Sequence, residues 1–171
     1  IKGVHEDLVN SYKIIRDIDP VHPTYMTENF KYYYEDTGKC TDILAIDPYP
    51  LPGSTVAKIT DLVGQATAAV NYKKPVYDLL QAFTFTGYPY LPTVDEIRNM
   101  AYRAVWNGAT GIGYYSFTDP GWDLTQSVIW PGLMDFHQKE LGYLGGYATE
   151  TLANFNESNT GDVWWKTWTT S

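Results

Sequence analysis

The chain has 171 residues, 44% apolar and 19% charged, which bounds it to about one ordinary globular domain and excludes disorder. Its net charge of −8 excludes the basic surface that a nucleic-acid partner requires. No apolar run is long enough to span a bilayer, and the single cysteine, Cys40, excludes a disulfide framework and a cysteine-rich zinc site.

In chain order, residues 4–18 predict a helix, with Val4, Leu8, Ile14, Ile15 and Ile18 roughly on one face and Tyr12 near it. Asp19-Pro20 ends it, because a proline forces the residue before it out of the α region. Val21-His22-Pro23 reads as a turn, and residues 24–27 as a short strand tipped by Glu28 and Asn29. Residues 31–39 are a Tyr-rich loop or short helix closed by Gly38, and Cys40 is a buried thiol or an unpaired surface one.

Ile43 to Ile46 reads as a parallel strand buried on both faces. Pro48 and Pro50 cannot donate to a ladder, so the strand stops with Asp47 and Tyr49 at its carboxyl end. Residues 55–71 repeat apolar side chains at helical spacing, with Ser54 or Thr55 available as a cap. Residues 76–83 are an apolar strand carrying Asp78 and Gln81. If Tyr77, Leu79 and Gln81 point inward, Asp78 points under the helices, where it takes Arg98 or Arg103 as partner or stays protonated.

Residues 84–92 form a loop with Gly87, Pro89 and Pro92. Thr93-Val94-Asp95-Glu96 is a capping box opening a helix that ends at Asn107-Gly108. Residues 111–117 are the next strand, tipped by Tyr114, Tyr115 and Ser116, and 118–126 are a loop holding Asp119, Trp122 and Asp123. Residues 127–146 hold a further helix with Leu133, Phe136, Leu141 and Leu144. Residues 154–162 are polar and 163–168 alternate like a β-strand. The expected division is therefore 1–152 as one domain and 153–171 as a linker with the first strand of a β-domain.

Strand–helix alternation of this kind implies a parallel sheet with helical crossovers. Three or four such units make half of a barrel, since closure needs about eight strands. The expected fold is α/β, of (β/α)8 TIM-barrel type, comprising about the second half of the barrel and followed by a β-strand segment. The expectation is a fragment of a larger parent chain, or one that self-associates.

Asp47 is the leading carboxylate, as a hydrolytic base or nucleophile or as the cap of a Pro-rich turn. Glu28, one strand earlier, is the second catalytic candidate or a solvated loop residue. Tyr49, Gln81, Phe83, Tyr115, Ser116, Asp119 and Trp122 are the substrate-binding candidates. Trp122 is a sugar platform or packs on its own loop. With 15 Tyr and 6 Trp, the composition suits sugar rings and protein interfaces alike. His5, His22 and His137 lack metal-ligand spacing, so no metal is expected, and with no phosphate or dinucleotide motif no cofactor is expected. Asn156-Glu157-Ser158 is a glycosylation sequon.

The motifs Asp19-Pro20-x-His22-Pro23, Asp42-Ile43-x-x-Ile46-Asp47-Pro48-Tyr49-Pro50, Lys74-Pro75-Val76, Leu80-Gln81-Ala82-Phe83, Thr93 with Glu96-Ile97-Arg98, and Gly108-Ala109-x-Gly111-Ile112-x-Tyr114-Tyr115-Ser116 occur in this order. Together, over roughly residues 8–146, they resemble the C-terminal half of a glycoside-hydrolase-like (β/α)8 barrel. The resemblance implies strands five to eight of such a barrel, with a β-sandwich following. It puts the acid/base carboxylate on a strand before Ile1 and the nucleophile at about Gln81, whose amide cannot form a glycosyl ester. The expected function is a carbohydrate-binding or carbohydrate-hydrolysing barrel at the cell surface or outside the cell. The alternative is a catalytically inactive hydrolase-like barrel serving as a structural module of an extracellular glycoprotein assembly.

Overall fold

The structure, a computed structural model, describes residues 2–142, 155–160 and 163–168. The chain divides into two compact units, residues 1–125 and 126–171.

In the first unit, α1 (Lys2–Ile18) leads to β1 (Tyr25–Glu28), a 3-10 turn at Lys31–Tyr33, and α2 (Tyr34–Lys39). Then come β2 (Ile43–Ile46), α3 (Lys58–Ala69), β3 (Val76–Gln81), α4 (Val94–Trp106) and β4 (Gly111–Tyr115). The four strands make one parallel sheet in the order β1-β2-β3-β4. Each crossover therefore steps to the neighbouring strand in the same direction. Helix α2 touches α3, and α3 touches α4, so the crossover helices form one layer beside the sheet. The fold class is α/β, as the alternation predicts.

The registers decide which side chains face that layer. Leu44 stands beside Val76, and Ile46 beside both Glu28 and Asp78. Successive strand residues point to opposite faces, so Glu28, Leu44, Ile46, Val76, Asp78 and Leu80 face the helices. Apart from Glu28, all of these are buried without exposure, against the apolar stripes of α3 (Ile59, Leu62, Val63, Ala66) and α4 (Ile97, Met100, Ala101, Ala104). The other face carries Tyr25, Tyr77, Leu79, Gln81 and Tyr115. The Tyr77 ring and Leu79 lie across Gly111 and Gly113 of β4, where a Cβ would come within 2.5 Å of each side chain.

Asp42 ties the start of β2 to two earlier elements. Its carboxylate accepts from Tyr12 Oη at 2.7 Å, from the Thr24 amide at 2.8 Å and from Thr24 Oγ1 at 3.0 Å. The Thr24 amide, first among these contacts, holds the carboxyl below the usual aspartate range. Lys74 Nζ donates to the carbonyls of Gly38 and Thr41, both at 2.7 Å, placing a cation at the C-terminus of α2.

Several expectations change. Neither Ser54 nor Thr55 caps α3; its entry is a run of backbone turns, with Lys58 N bonded to Thr55 O and Ile59 N to Val56 O. The Thr93–Glu96 capping box is present, and Gly108 follows Asn107 with φ 97°, the left-handed conformation that glycine adopts without strain. On α1, Ile14, Ile15 and Ile18 are exposed, because the helix is moored by Tyr12 and Arg16 to Asp42 instead. Cys40 is buried. His22 belongs to its turn: Asp19 Oδ1 accepts from the amides of Val21 and His22, and Asp19 Oδ2 lies 2.8 Å from His22 Nδ1.

Residues 118–126 are more than a loop. They hold the hairpin β5 (Thr118–Asp119) and β6 (Trp122–Asp123) and a 3-10 turn at Leu124–Gln126. Pro120-Gly121, with Gly121 at φ 82°, supplies the proline-then-glycine order of a type II turn.

In the second unit, α5 (Trp130–Phe136) continues as a π-helical turn at His137–Leu141. Leu144 and the expected boundary at 152/153 lie outside the described residues. Residues 155–160, expected as linker, form β7 (Phe155–Thr160), paired antiparallel with β8 (Val163–Trp168). The register runs from Phe155 beside Trp168 to Thr160 beside Val163. Asn156 lies on β7.

Gly111→Ala is expected to destabilise the chain by about 1–3 kcal/mol through overpacking against the Tyr77 ring. Gly113→Ala should cost less, since only the flexible end of Leu79 must move. Urea melts of the two variants check the order; equal costs would show that the Tyr77 ring swings away freely.

Candidate functional site

At the carboxyl ends of β2, β3 and β4, five aromatic rings meet on the sheet face turned away from the helices. Tyr49 packs edge-on against Phe83 at 5.0 Å and lies tilted against Tyr115 at 5.7 Å. Phe83 contacts Tyr115 at 5.5 Å and stacks on Phe85 at 4.7 Å, with 14° between the planes. Tyr88 closes the group against Tyr49, Phe83 and Phe85. Alternation explains the convergence. Asp47 and Tyr49 follow Ile46 on the free face, Phe83 follows Gln81 two residues on, and Tyr115 is the register partner of Gln81.

Phe83 is buried, whereas Phe85, Tyr88 and Tyr115 are each 40% exposed. Phe85 and Tyr88 were not among the residues expected from the sequence. They are held by a tight turn in which Phe85 N bonds Tyr88 O at 3.0 Å and Tyr88 N bonds Phe85 O at 2.7 Å. The signal was present: Thr86-Gly87 between two aromatics is a two-residue hairpin with glycine second.

Asp47 lies beside this cluster, half-buried, with Oδ2 accepting from Tyr49 Oη at 3.1 Å. Its Oδ1 is buried with no hydrogen-bond partner among the described residues. Burial pushes its pKa up, and the Tyr49 hydroxyl pulls part of the way back. Burial and then Asp47 raise the pKa of Tyr49, and a hydrogen bond to Asp119 raises that of Tyr115.

Glu28 is differently placed. Its Oε1 accepts from Phe30 N at 2.7 Å and its Oε2 from Thr37 Oγ1 of α2 at 3.1 Å. It stands beside Ile46 in register, on the helix side, one position out of phase with Asp47. The two candidate carboxylates thus point to opposite faces of the sheet. Glu28 nevertheless acts electrostatically on Asp47, helping to raise its pKa.

Gln81 is fully buried and acts as a rung. Its Nε2 donates to Leu51 O at 3.1 Å and its Oε1 accepts from Leu51 N at 3.2 Å, so both amide atoms hold the loop after β2. Ser116 Oγ is buried with no hydrogen-bond partner among the described residues, while Ser116 O accepts from Trp122 Nε1 at 2.9 Å. The Trp122 N–H is thereby spent on its own loop.

Asp78 has no hydrogen-bond partner for either oxygen among the described residues. Arg98 is engaged with Asp95, and Arg103 with Asn99 and Thr60. Burial, followed by the charge of Asp47, raises the Asp78 pKa well above the usual aspartate range, which favours the protonated carboxyl. The Tyr34 hydroxyl is also buried without a partner among the described residues; its pKa is raised by burial first and then by Asp78, Asp47 and Glu28.

Among the described residues, no group of three or more histidine, cysteine, aspartate or glutamate side chains could hold a metal ion, and no helix is long and apolar enough to cross a membrane. Comparison of the chain with protein-family models, with curated proteins and with solved structures gave no match in any of the three.

Removing the Gln81 amide leaves the Leu51 N–H and C=O unpaired beside the ring cluster. Gln81→Ala is expected to cost about 2–4 kcal/mol, read as a lowered denaturation midpoint; a cost below about 1 kcal/mol would show that the loop repairs itself. For Asp78, the sign follows from its raised pKa. Above about pH 4, where a free aspartate ionises, the unfolded chain gives up this proton while the folded chain keeps it. Its contribution to stability is therefore lost as pH rises from there toward its own folded pKa. Asp78→Asn should flatten that part of the pH–stability profile, measured by urea melts between about pH 5 and about pH 8. An unchanged slope would show that Asp78 ionises in the folded chain.

Proposed function

We propose that the chain binds carbohydrate on the ring cluster at the carboxyl ends of β2, β3 and β4, as part of an extracellular (β/α)8 barrel of glycoside-hydrolase type. The observation that carries this reading is the meeting of Tyr49, Phe83, Phe85, Tyr88 and Tyr115 beside the Asp47 carboxylate, with three of the rings 40% exposed. Exposed aromatic faces next to hydrogen-bonding oxygens match a sugar ring, which has apolar C–H faces and a polar rim. The sequential strand order supports the barrel part of the reading, because neighbouring parallel strands joined by helices on one side are how such a barrel is built. Four strands are too few to close one, so the reading requires four more from elsewhere. The location at the carboxyl strand ends is where barrels of this type carry their sites.

Hydrolysis needs two carboxyl groups facing one bond. Only Asp47 of the two candidates stands at the rings, and Glu28 is held by Phe30 and Thr37. Binding is therefore favoured over hydrolysis by the residues present. The second reading, an inactive hydrolase-like barrel that serves as a structural module, is favoured by Gln81, whose amide is committed to Leu51 where a nucleophile would be needed.

Calorimetric titration with neutral tetrasaccharides tests the proposal. Phe85→Ala and Tyr115→Ala are each expected to weaken binding about threefold to tenfold, while Val21→Ala, on an exposed turn before β1, leaves it unchanged. Absence of binding to any oligosaccharide, or equal binding by all three variants, would overturn the reading.

A further inference from the structure

A second aromatic surface stands at the carboxyl end of the same sheet. The turn after β1 carries Phe30, Tyr32 and Tyr33 within four residues, and they are 63%, 83% and 38% exposed. Single exposed rings are common on protein surfaces, but three gathered on one turn form a patch, and such patches mark contact sites.

The patch is held in place. Glu28 Oε1, at the tip of β1, accepts from Phe30 N at 2.7 Å, and Phe30 O accepts from Tyr33 N at 2.9 Å. Tyr33 leads directly into α2, and Glu28 Oε2 takes Thr37 Oγ1 of that helix at 3.1 Å. The carboxylate that stands away from the ring cluster therefore braces this turn. Phe30 and Tyr33 meet edge to face, with centroids 6.4 Å apart and 87° between the planes. Lys31 Nζ stands 5.7 Å from the centroid of the Tyr32 ring, so one face of that ring takes a cation and the other is open to solvent. Asn29, exposed beside Phe30, adds an amide that both donates and accepts. Ring faces beside an amide and an ammonium group suit the apolar face and hydroxyl rim of a sugar.

Register sets the spacing between the two surfaces. Glu28 stands beside Ile46, and Ile46 beside Asp78. The ends of β1 and β3 are therefore two strand spacings apart, about 10 Å. The β3 end leads to Phe83, Phe85 and Tyr88. One pyranose ring cannot lie on both groups, whereas a chain of several can, crossing the strand ends from the loop after β3 to the turn after β1.

Resting on the carbohydrate reading above, we propose that Phe30 and Tyr32 form a second sugar subsite, and that the ligand is an extended polysaccharide chain bound across both aromatic surfaces. The ring cluster alone would serve a short sugar equally well; the patch after β1 adds contacts only for a chain long enough to reach it.

The test is calorimetric titration with disaccharides and hexasaccharides of β-1,4-glucan, β-1,3-glucan and β-1,4-mannan. In the series that binds, the hexasaccharide is expected to bind about tenfold tighter than the disaccharide. The Phe30→Ala, Tyr32→Ala double variant should lose that gain and keep its affinity for the disaccharide, which also reports that it is folded. Phe85→Ala should weaken both lengths. Equal affinity for the two lengths, or a gain with length that the double variant keeps, overturns this proposal and leaves the carbohydrate reading standing; no binding of either length overturns both. If the double variant loses both lengths, Tyr32→Ser decides, because that ring is the most exposed of the three: a reduced gain with length supports the second subsite, and an unchanged one overturns it.

Discussion

Register between β2 and β3 is the constraint on which the site depends. With Ile46 beside Asp78, the residues that follow fall into two sets. Asp47, Tyr49, Gln81 and Phe83 take the free face, and Asp78 and Leu80 go under the helices. A slip of one residue would exchange the sets, burying tyrosines under α3 and α4 and turning Asp78 out to the rings. The buried apolar row of Leu44, Ile46, Val76 and Leu80 sets this register from below. The Gln81 amide fixes it from above, by pairing with both main-chain groups of Leu51 as a further strand residue would.

This clamp also gives the ring cluster its rigidity. Tyr49 sits two residues before Leu51, and Phe83 two residues after Gln81, so the two rings nearest the centre flank the same pair of hydrogen bonds. Their T-shaped contact needs no further support from the loops. The outer rings, Phe85 and Tyr88, are carried by a turn with its own paired amides, which makes them an appendage to a fixed base. A surface of that kind can present aromatic faces without losing much order when something stacks on it.

The features legible in the sequence are those that local chemistry decides. The capping box at Thr93, the prolines that end β2, and the apolar helix spacings of α3 and α4 all act within a few residues. The parallel sheet followed from the alternation of those elements. What escaped depends on partners distant in sequence. Glu28 resembled a second carboxylate at the mouth because its position in the chain said nothing of its phase relative to Asp47; only pairing with Ile46 fixes that. Gln81 resembled a binding residue because Leu51, its partner, is 30 positions away. The isoleucines of α1 have helical spacing, but the sequence does not say that Tyr12 and Arg16 orient that helix through Asp42. Phe85 and Tyr88 sit in a loop whose glycine and prolines mark a turn without showing which rings it brings to the sheet, and β7 lies in a stretch too polar to read as a strand.

Asp78 has a consequence for the molecule as a whole. Composition assigns the chain a charge of −8, counting every aspartate as ionised. Below its raised folded pKa this carboxyl holds its proton beneath the sheet, and the folded molecule is there one unit less negative than a count with Asp78 ionised. Folding at a pH between the free aspartate range and that raised folded pKa is then an uptake of hydrogen ion from the solvent, and its measured heat includes the heat of deprotonating whatever buffer supplies it. The folding enthalpy of this chain belongs to the pair of protein and buffer, and separating the two requires a series of buffers at one pH.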